Sequence, residues 1–437
     1  MAEHHSHHRY SGPSRPSRAP ATVYPTRARR KRMGLLIVVL ACVGLVLVVG
    51  AGALVWYVAS LAGESQEAGV AGGVTTTVDP GAVGGAGSEA QAVATTVDYE
   101  LKPLIDLVSF RDLAYMPVKA VHVYSVKAAD KASMGRIMDI IDRTELNAMV
   151  VAVKDDNGRI AYNSLAPMAV EYNTVNPIIW GGDLDALVAT LAGRNIIPIA
   201  RLVCFKDDGL TSARPDLAIQ NKDTGQPWVD RKGSRYLNPY NHEVWEYIVQ
   251  VAEDVAKRGF REIQFDYVRF PAGADGDLSK VSYPGKYCTK EEAIAGFLAY
   301  ARPRLEPLGV WVSADVFGYV VDVAGDMGIG QNMEKMCMNL DLICPMVYPN
   351  LYEFGAYGIQ YPPAEPYNLV KNALAKAPGR LIGLGTKCRP WLQAHDDYFT
   401  RGVEYTADLI KEEIRAASEL GFDEYLLWGG YPDLGAG

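Results

Sequence analysis

The chain has 437 residues, 49% of them hydrophobic and 22% charged, which is ordinary globular usage and too long for one small domain. Its net charge of −8 is unevenly split: residues 1–33 carry eight Lys or Arg against Glu3 alone, a balance of +7, and the remainder carries −15. An acidic body argues against a nucleic-acid partner, which wants a basic face, and is compatible with a neutral substrate such as a sugar.

Residues 1–33 hold His4, His5, His7 and His8 among Ser, Pro and Arg, a composition expected of a disordered tail rather than of a metal site. Residues 34–60 then carry no charge. As a helix, this run is about 40 Å long, enough for a hydrocarbon core of about 30 Å. Arg27, Arg29, Arg30, Lys31 and Arg32 precede it, and Trp56 and Tyr57 stand near its far end. Basic flanks stay in the cytoplasm and aromatic rings favour the interface, so the expectation is a single-pass membrane anchor with a cytoplasmic N-terminus and an extracytoplasmic body. A cleaved signal peptide fits less well, because its apolar region is about 7–15 residues long. Residues 61–98, rich in Gly, Ala, Val and Thr, read as a flexible linker.

From residue 99 to 437 short β-branched runs alternate with amphipathic ones. The predicted strands are Val118–Ser125, Asn147–Asp155, Ile196–Lys206, Glu262–Phe270, Val310–Phe317, Leu340–Tyr348, Leu381–Cys388 and Glu424–Gly429. The predicted helices include Ser133–Thr144, Asp183–Arg194, Pro239–Arg258, one capped by Thr289, Tyr367–Ala377 and Thr406–Leu420. Continuously apolar strands that alternate with helices imply a parallel sheet buried on both faces, and eight such units imply a closed (β/α)8 TIM barrel. A doubly wound sheet is the alternative, but no Gly-rich dinucleotide or phosphate loop follows any strand, and no cofactor is implied.

The active site of such a barrel lies at the C-terminal ends of its strands. His122, His242 and His395 are not spaced as zinc ligands, and no Gly-x-Ser-x-Gly elbow is present. Cys204, Cys344 and Cys388 fall in strand-like segments and read as buried thiols. Carboxylates are the functional groups left, and two of them flanking a bond is what glycoside hydrolysis requires. Asp266, inside an apolar strand, is the leading candidate; the bland alternative is an ion pair with Arg269 or Arg201. Asp315 is the second, with a loop hydrogen bond as its alternative. Adjacent strands lie about 4.8 Å apart, so the two could sit at the separation of a retaining enzyme, about 5–5.5 Å, with Asp266 as nucleophile and Asp315 as acid/base. Lys154, Asp155, Arg201, Tyr267, Arg269, Tyr348, Lys387, Trp391, Gln393 and Trp428 are the candidate substrate-binding residues, with aromatic faces for sugar rings. For Lys154 and Arg201 a salt bridge at the core rim is an equal alternative, and for Asp155 and Asp156 a solvated turn is the default.

The segment Gly259–Pro271 (GFREIQFDYVRFP) resembles a family of (β/α)8 barrels described as glycoside hydrolases of unknown function, as do Val151–Gly158, Tyr236–Tyr240, Pro345–Pro349, Arg389–Gln393 and Leu426–Gly430. The resemblance covers roughly residues 115–430 and implies a carbohydrate substrate. More distantly, Asp266 resembles the strand-four nucleophile of alpha-amylase-like barrels; those carry Glu as the acid after strand five, where this chain has Asp315, one methylene shorter. The rival readings are a barrel of the cell envelope that binds glycan without cleaving it, and a metal-dependent polysaccharide deacetylase, which the missing His-x-x-x-His pair disfavours.

Overall fold

A computed structural model describes residues 115–397 and 402–429. The expected tail, anchor and linker at 1–98 lie outside the described residues; among those described, no helix is long and apolar enough to cross a membrane.

Eight parallel strands close into a barrel: β1 Lys119–Val123, β2 Ala148–Lys154, β3 Ile197–Val203, β4 Glu262–Asp266, β5 Trp311–Phe317, β6 Leu342–Met346, β7 Lys387–Cys388 resuming at Trp391–Gln393, and β8 Tyr425–Trp428. Each pairs with the next, and β8 returns to β1 through Lys119↔Tyr425. Between them run α1 Lys131–Arg143, α2 Leu184–Gly193, α3 His242–Lys257, α4 Lys290–Leu305, α5 Met333–Cys337, α6 Pro366–Leu374 and α7 Ala407–Ser418. Strand β2 (AMVVAVK) is buried at every residue, as a strand covered on both faces must be. Thr289 caps α4 in a capping box with Glu292, as its sequence predicts.

Side chains alternate between the barrel interior and the helix-facing layer. Ala120, Ala148, Val150, Ile199, Leu342, Cys344, Trp391 and Leu426 cluster inside. At the N-terminal end the floor is polar. Arg389 Nη1 donates to both Glu262 oxygens (2.8 and 3.0 Å), Arg389 Nε faces Glu424 at 3.3 Å, and Ser313 Oγ donates to Glu262 at 2.6 Å. Tyr115 closes the cluster by donating to Glu424 at 2.6 Å. A buried charge must be paired, and these strands supply pairs.

The seventh strand departs from its predicted position. Leu381–Gly385 is alternately apolar, yet Ile382 is 81% exposed and Gly383 and Gly385 take φ of +81° and +69°. Glycines in the left-handed region break a strand, so these residues form the connection from α6 and the strand begins later. The fourth strand also ends earlier than predicted, at Asp266, because Tyr267 turns the chain with φ +47°. Among the described cysteines all are free; Cys204, Cys344 and Cys388 are buried as expected.

Candidate active site

Strands β4 and β5 pair in register through Phe265↔Ala314, which sets Asp266 and Asp315 side by side at the C-terminal end, on the inward face. Both are buried, at 4% and 1% exposure. Their surroundings differ. Asp266 is ion-paired with Arg201, whose Nε donates to Oδ2 at 2.8 Å and whose Nη2 reaches the same oxygen. Its other oxygen accepts from the Tyr267 backbone N–H at 2.6 Å. The positive φ of Tyr267 thus has a local use: it turns that amide back onto the carboxylate. Asp315 makes no ion pair among the described residues, although the Arg201 charge reaches it; its Oδ1 accepts from the indole N–H of Trp391 at 2.6 Å. Burial pushes the Asp315 carboxyl well above the usual range, and the charge of Asp266 adds to the push. Two neighbouring carboxyls, one ion-paired and one whose burial favours its neutral form, are the arrangement that an acid and a nucleophile need.

Arg201 is the hub. Besides Asp266 it holds Asp156 Oδ1 at 2.8 Å through Nη2, and its guanidinium lies 5.1 Å from the centroid of Trp428. Burial opposes ionisation of Asp156, but the charge and hydrogen bond of Arg201 outweigh it and keep this carboxyl below the usual range. Trp428 also stacks on His122, with ring centroids 4.0 Å apart and an interplanar angle of 16°. Burial, with the charge of Arg201, lowers the His122 pKa well below its ordinary value, so the ring is neutral. Tyr348, 6.1 Å from Trp428, is buried with its hydroxyl unpartnered among the described residues, an unusual state for a polar atom inside a protein. Half-buried Asp156, Tyr267 and Trp428 adjoin the Arg201–Asp266 pair, and half-buried Tyr124 packs on Trp428 at 5.5 Å.

Of the predicted residues, Asp266, Asp315, Arg201, Tyr348, Trp391 and Trp428 converge here, with Tyr267 beside them. The ion pair with Arg201, weighed as an alternative to function for Asp266, is present within the site itself. Other residues lie elsewhere. Lys154 is fully buried and outward: a register shift in β2 sets it opposite Leu202 instead of following Ala152 inward, and its ammonium pairs with Asp207 Oδ2 at 2.7 Å. It cannot touch a substrate. Lys387 sits at the opposite end of the barrel, paired in register with Leu342 and 4.2 Å from the Tyr115 ring centroid; the later start of β7 moved it there. Arg389 belongs to the floor for the same reason. Asp155 makes a turn, accepting from the Asn157 and Arg159 amides at 3.0 and 3.1 Å. Arg269 is bound to Asp275 at 2.8 Å between the rings of Tyr267 and Phe317, and so shapes the loop after β4. Gln393 accepts from the Asn350 amide at 3.0 Å and donates to His395 O at 2.9 Å, which ties the loops after β6 and β7 together.

Sequence reasoning overlooked the His122–Trp428–Arg201 stack. The signal was available in the spacing, since His122 is two residues before Tyr124 on the same face of β1, but a lone histidine in an apolar strand says nothing until its neighbour is known.

The Trp391 hydrogen bond makes a pH prediction. It favours the charged form of Asp315, so Trp391→Phe raises the Asp315 pKa further. If Asp315 must be protonated to act, the alkaline limb of the kcat/KM profile moves to higher pH in this variant. A limb that stays in place assigns the acid elsewhere.

Comparison with known proteins agrees with this architecture. A hypothetical protein of solved structure from Ruminiclostridium thermocellum is 36% identical over 45% of this chain and 97% of its own length, with a TM-score of 0.41. The glycoside hydrolase domain of PgaB (BpsB) from Bordetella bronchiseptica is 14% identical, covers 72% of this chain and 95% of that one, and superposes with a TM-score of 0.54, a likeness of fold. No curated protein matches the chain. The profile of the family described as "Putative glycosyl hydrolase domain" matches residues 120–431, more than half of the chain and the whole of the barrel. The chain belongs to this glycosyl hydrolase domain family.

Proposed function

We propose that the barrel cleaves a polysaccharide or cell-envelope glycan by double displacement, with Asp266 as nucleophile and Asp315 as acid/base. The observation that carries the reading is the pairing, on adjacent strands at the C-terminal mouth, of a carboxylate bound by Arg201 with a second carboxyl buried beside it and held by the Trp391 indole. Adjacent strands support the spacing of about 5 Å that a covalent intermediate requires. In the first step an Asp266 oxygen bonds to the anomeric carbon, the glycosidic bond breaks, and Asp315 gives its proton to the departing oxygen. In the second, Asp315 takes a proton from water, the water oxygen attacks the anomeric carbon, and the bond to Asp266 breaks. Arg201 holds Asp266 in place throughout, and Trp428 and Tyr348 offer a flat face and an unspent hydroxyl to the sugar.

The family description and the glycoside hydrolase fold of PgaB support the reaction class. The uncharged run at 34–60 behind a basic flank supports a membrane-anchored protein with its barrel outside the cytoplasm. The test is a screen of envelope glycans against residues 99–437, with Asp266→Asn as control and the anomeric configuration of the first product followed by NMR. Retention is expected. Inversion would remove the covalent step, and turnover undiminished in Asp266→Asn would remove Asp266 as nucleophile. A barrel that binds glycan without cleaving it would bind equally well with either residue and never turn over.

A further inference from the structure

Four buried basic side chains stand near the C-terminal ends of β2, β3 and β4, and three of them are neutralised. Lys154 pairs with Asp207 at 2.7 Å, Arg201 with Asp266 and Asp156, and Arg269 with Asp275 at 2.8 Å. The fourth is Lys206, just beyond the end of β3 at Val203. It is only 8% exposed, yet its ammonium makes no hydrogen bond and no ion pair among the described residues. It lies 5.2 Å from the centroid of the Tyr267 ring. A cation enclosed to this degree is costly without a partner, a cost that an apolar side chain at the same place would avoid.

Asp156 faces the same space. Burial opposes its ionisation, Arg201 outweighs burial, and the charge of Lys206 adds to the pull of Arg201. Its Oδ1 is taken by Arg201 at 2.8 Å, whereas Oδ2 has no hydrogen bond among the described residues, and the side chain is 42% exposed. The segments that carry the two groups are locked together. The Asp208 N–H donates to Asn157 O at 3.1 Å, and Gly158 passes so close to Asp207 that a Cβ there would stand 2.8 Å from its Cα. Both segments are also tied to Asp266. The Cys204 N–H donates to Asp266 O at 2.8 Å and the Phe205 N–H to Tyr267 O at 3.3 Å. Asp156 and Asp266 share the Arg201 guanidinium. An unpaired donor and an unused acceptor therefore stand together at the edge of the carboxyl site.

Such a pair selects by chemistry. A carboxylate or sulfate would meet the charge of Asp156, and an ammonium would meet that of Lys206. A hydroxyl satisfies both, since its oxygen accepts from the ammonium while its hydrogen is donated to Oδ2.

We propose that Lys206 and Asp156 form a hydroxyl-recognition site that fixes one ring hydroxyl of an uncharged sugar beside Asp266, and so determine which sugar is held for cleavage. The assignment rests on the hydrolase reading for the place of the sugar against Asp266.

The test separates binding from catalysis. The full-length chain carrying Asp266→Asn, purified in detergent, is titrated with the 4-nitrophenyl glycosides, in both anomers, of glucose, galactose, mannose, glucosamine and glucuronic acid, and binding is followed by ligand-observed NMR. An uncharged glycoside is expected to bind, and more tightly than the ammonium and carboxylate forms. Adding Lys206→Met should weaken it by about tenfold or more, the scale of one hydrogen bond to a charged group. Deoxy forms of that glycoside then locate the hydroxyl. One of them should bind the parent as weakly as the intact glycoside binds Lys206→Met, and Lys206→Met should bind that form no worse than the parent does. Lys206→Met should also leave Tm unchanged or raised, because no ion pair is broken. Five results overturn the site: no binding of any uncharged glycoside, tighter binding of a charged one, an affinity that Lys206→Met leaves unchanged, an equal response to Lys206→Met from every deoxy form, or a fall in Tm of more than about 5 °C. Failure of the hydrolase reading shows separately, as absence of turnover of the bound glycoside by the chain with Asp266 intact. Binding that depends on Lys206 without turnover would keep the site and place it in a barrel that holds glycan without cutting it.

Discussion

Asp266→Asn should abolish turnover, with kcat falling by about 10⁴-fold or more while glycan binding stays within a few-fold of the parent. The change is nearly isosteric. The single amide oxygen can keep the two Arg201 bonds, while the amide nitrogen loses the Tyr267 N–H, so the site keeps its shape at the cost of one hydrogen bond while the attacking charge is gone. A loss of that size is about 5.5 kcal/mol of transition-state stabilisation, which an ion pair with a merely structural role would not supply. The fold should survive, because Arg201 retains Asp156 as an anionic partner. Initial rates and thermal denaturation measured together check both halves. Unfolding of Asp266→Asn, or a rate loss below about tenfold, would return the Arg201–Asp266 pair to a structural role.

Lys154→Met should cost stability without touching catalysis directly. Its ammonium is wholly enclosed, 2.7 Å from Asp207 Oδ2 and 2.7 Å from Val203 O. Asp207 is equally enclosed and receives the Leu210 amide at 2.7 Å. Removing the cation strands a buried carboxylate, for which about 3–5 kcal/mol is the usual cost, a fall of about 10 °C in Tm. Burial already raises the Asp207 pKa, against the pull of Lys154. In Lys154→Met the folded state therefore binds a proton more tightly than the unfolded state. The deficit should be largest at high pH and shrink as pH falls through the raised folded-state value. Lys154→Met combined with Asp207→Asn should recover most of the loss. An equal deficit in the double variant, measured by calorimetry, would show that the cost lies in packing around Met and not in charge.

The two lysines mark where sequence ceases to determine a site. Periodicity located seven of the eight strands, because each is a continuous apolar run between helices, and set the seventh too early; it selected Asp266 and Asp315, because a carboxylate in such a run is conspicuous. Placing a residue at the mouth needs more than the strand's existence. Lys154 fails by one residue, since an irregularity in β2 reverses inward and outward, and no propensity signals a bulge there. Lys387 fails by half a strand, since LIGLG imitates a strand until the positive φ of its glycines is known. Arg201 was among the candidates, but its three partners come from β2, β4 and β8 and exist only once the barrel closes. The same holds for His122 against Trp428.

The polar floor of the barrel has a consequence for how the protein is made. Arg389 and Glu262 are 127 residues apart in sequence, and Tyr115 and Glu424 are 309 apart. Glu262 finds Arg389 only once the seventh strand is made, and Glu424 is supplied just ahead of the eighth, so shorter chains carry stranded ions where a complete one has a network. Synthesis delivers residues in order, and long-range pairing of this kind is slow. The floor is therefore completed by the C-terminal strands, and a chain cut before Arg389 would have to bury Glu262 without its cation or fail to close.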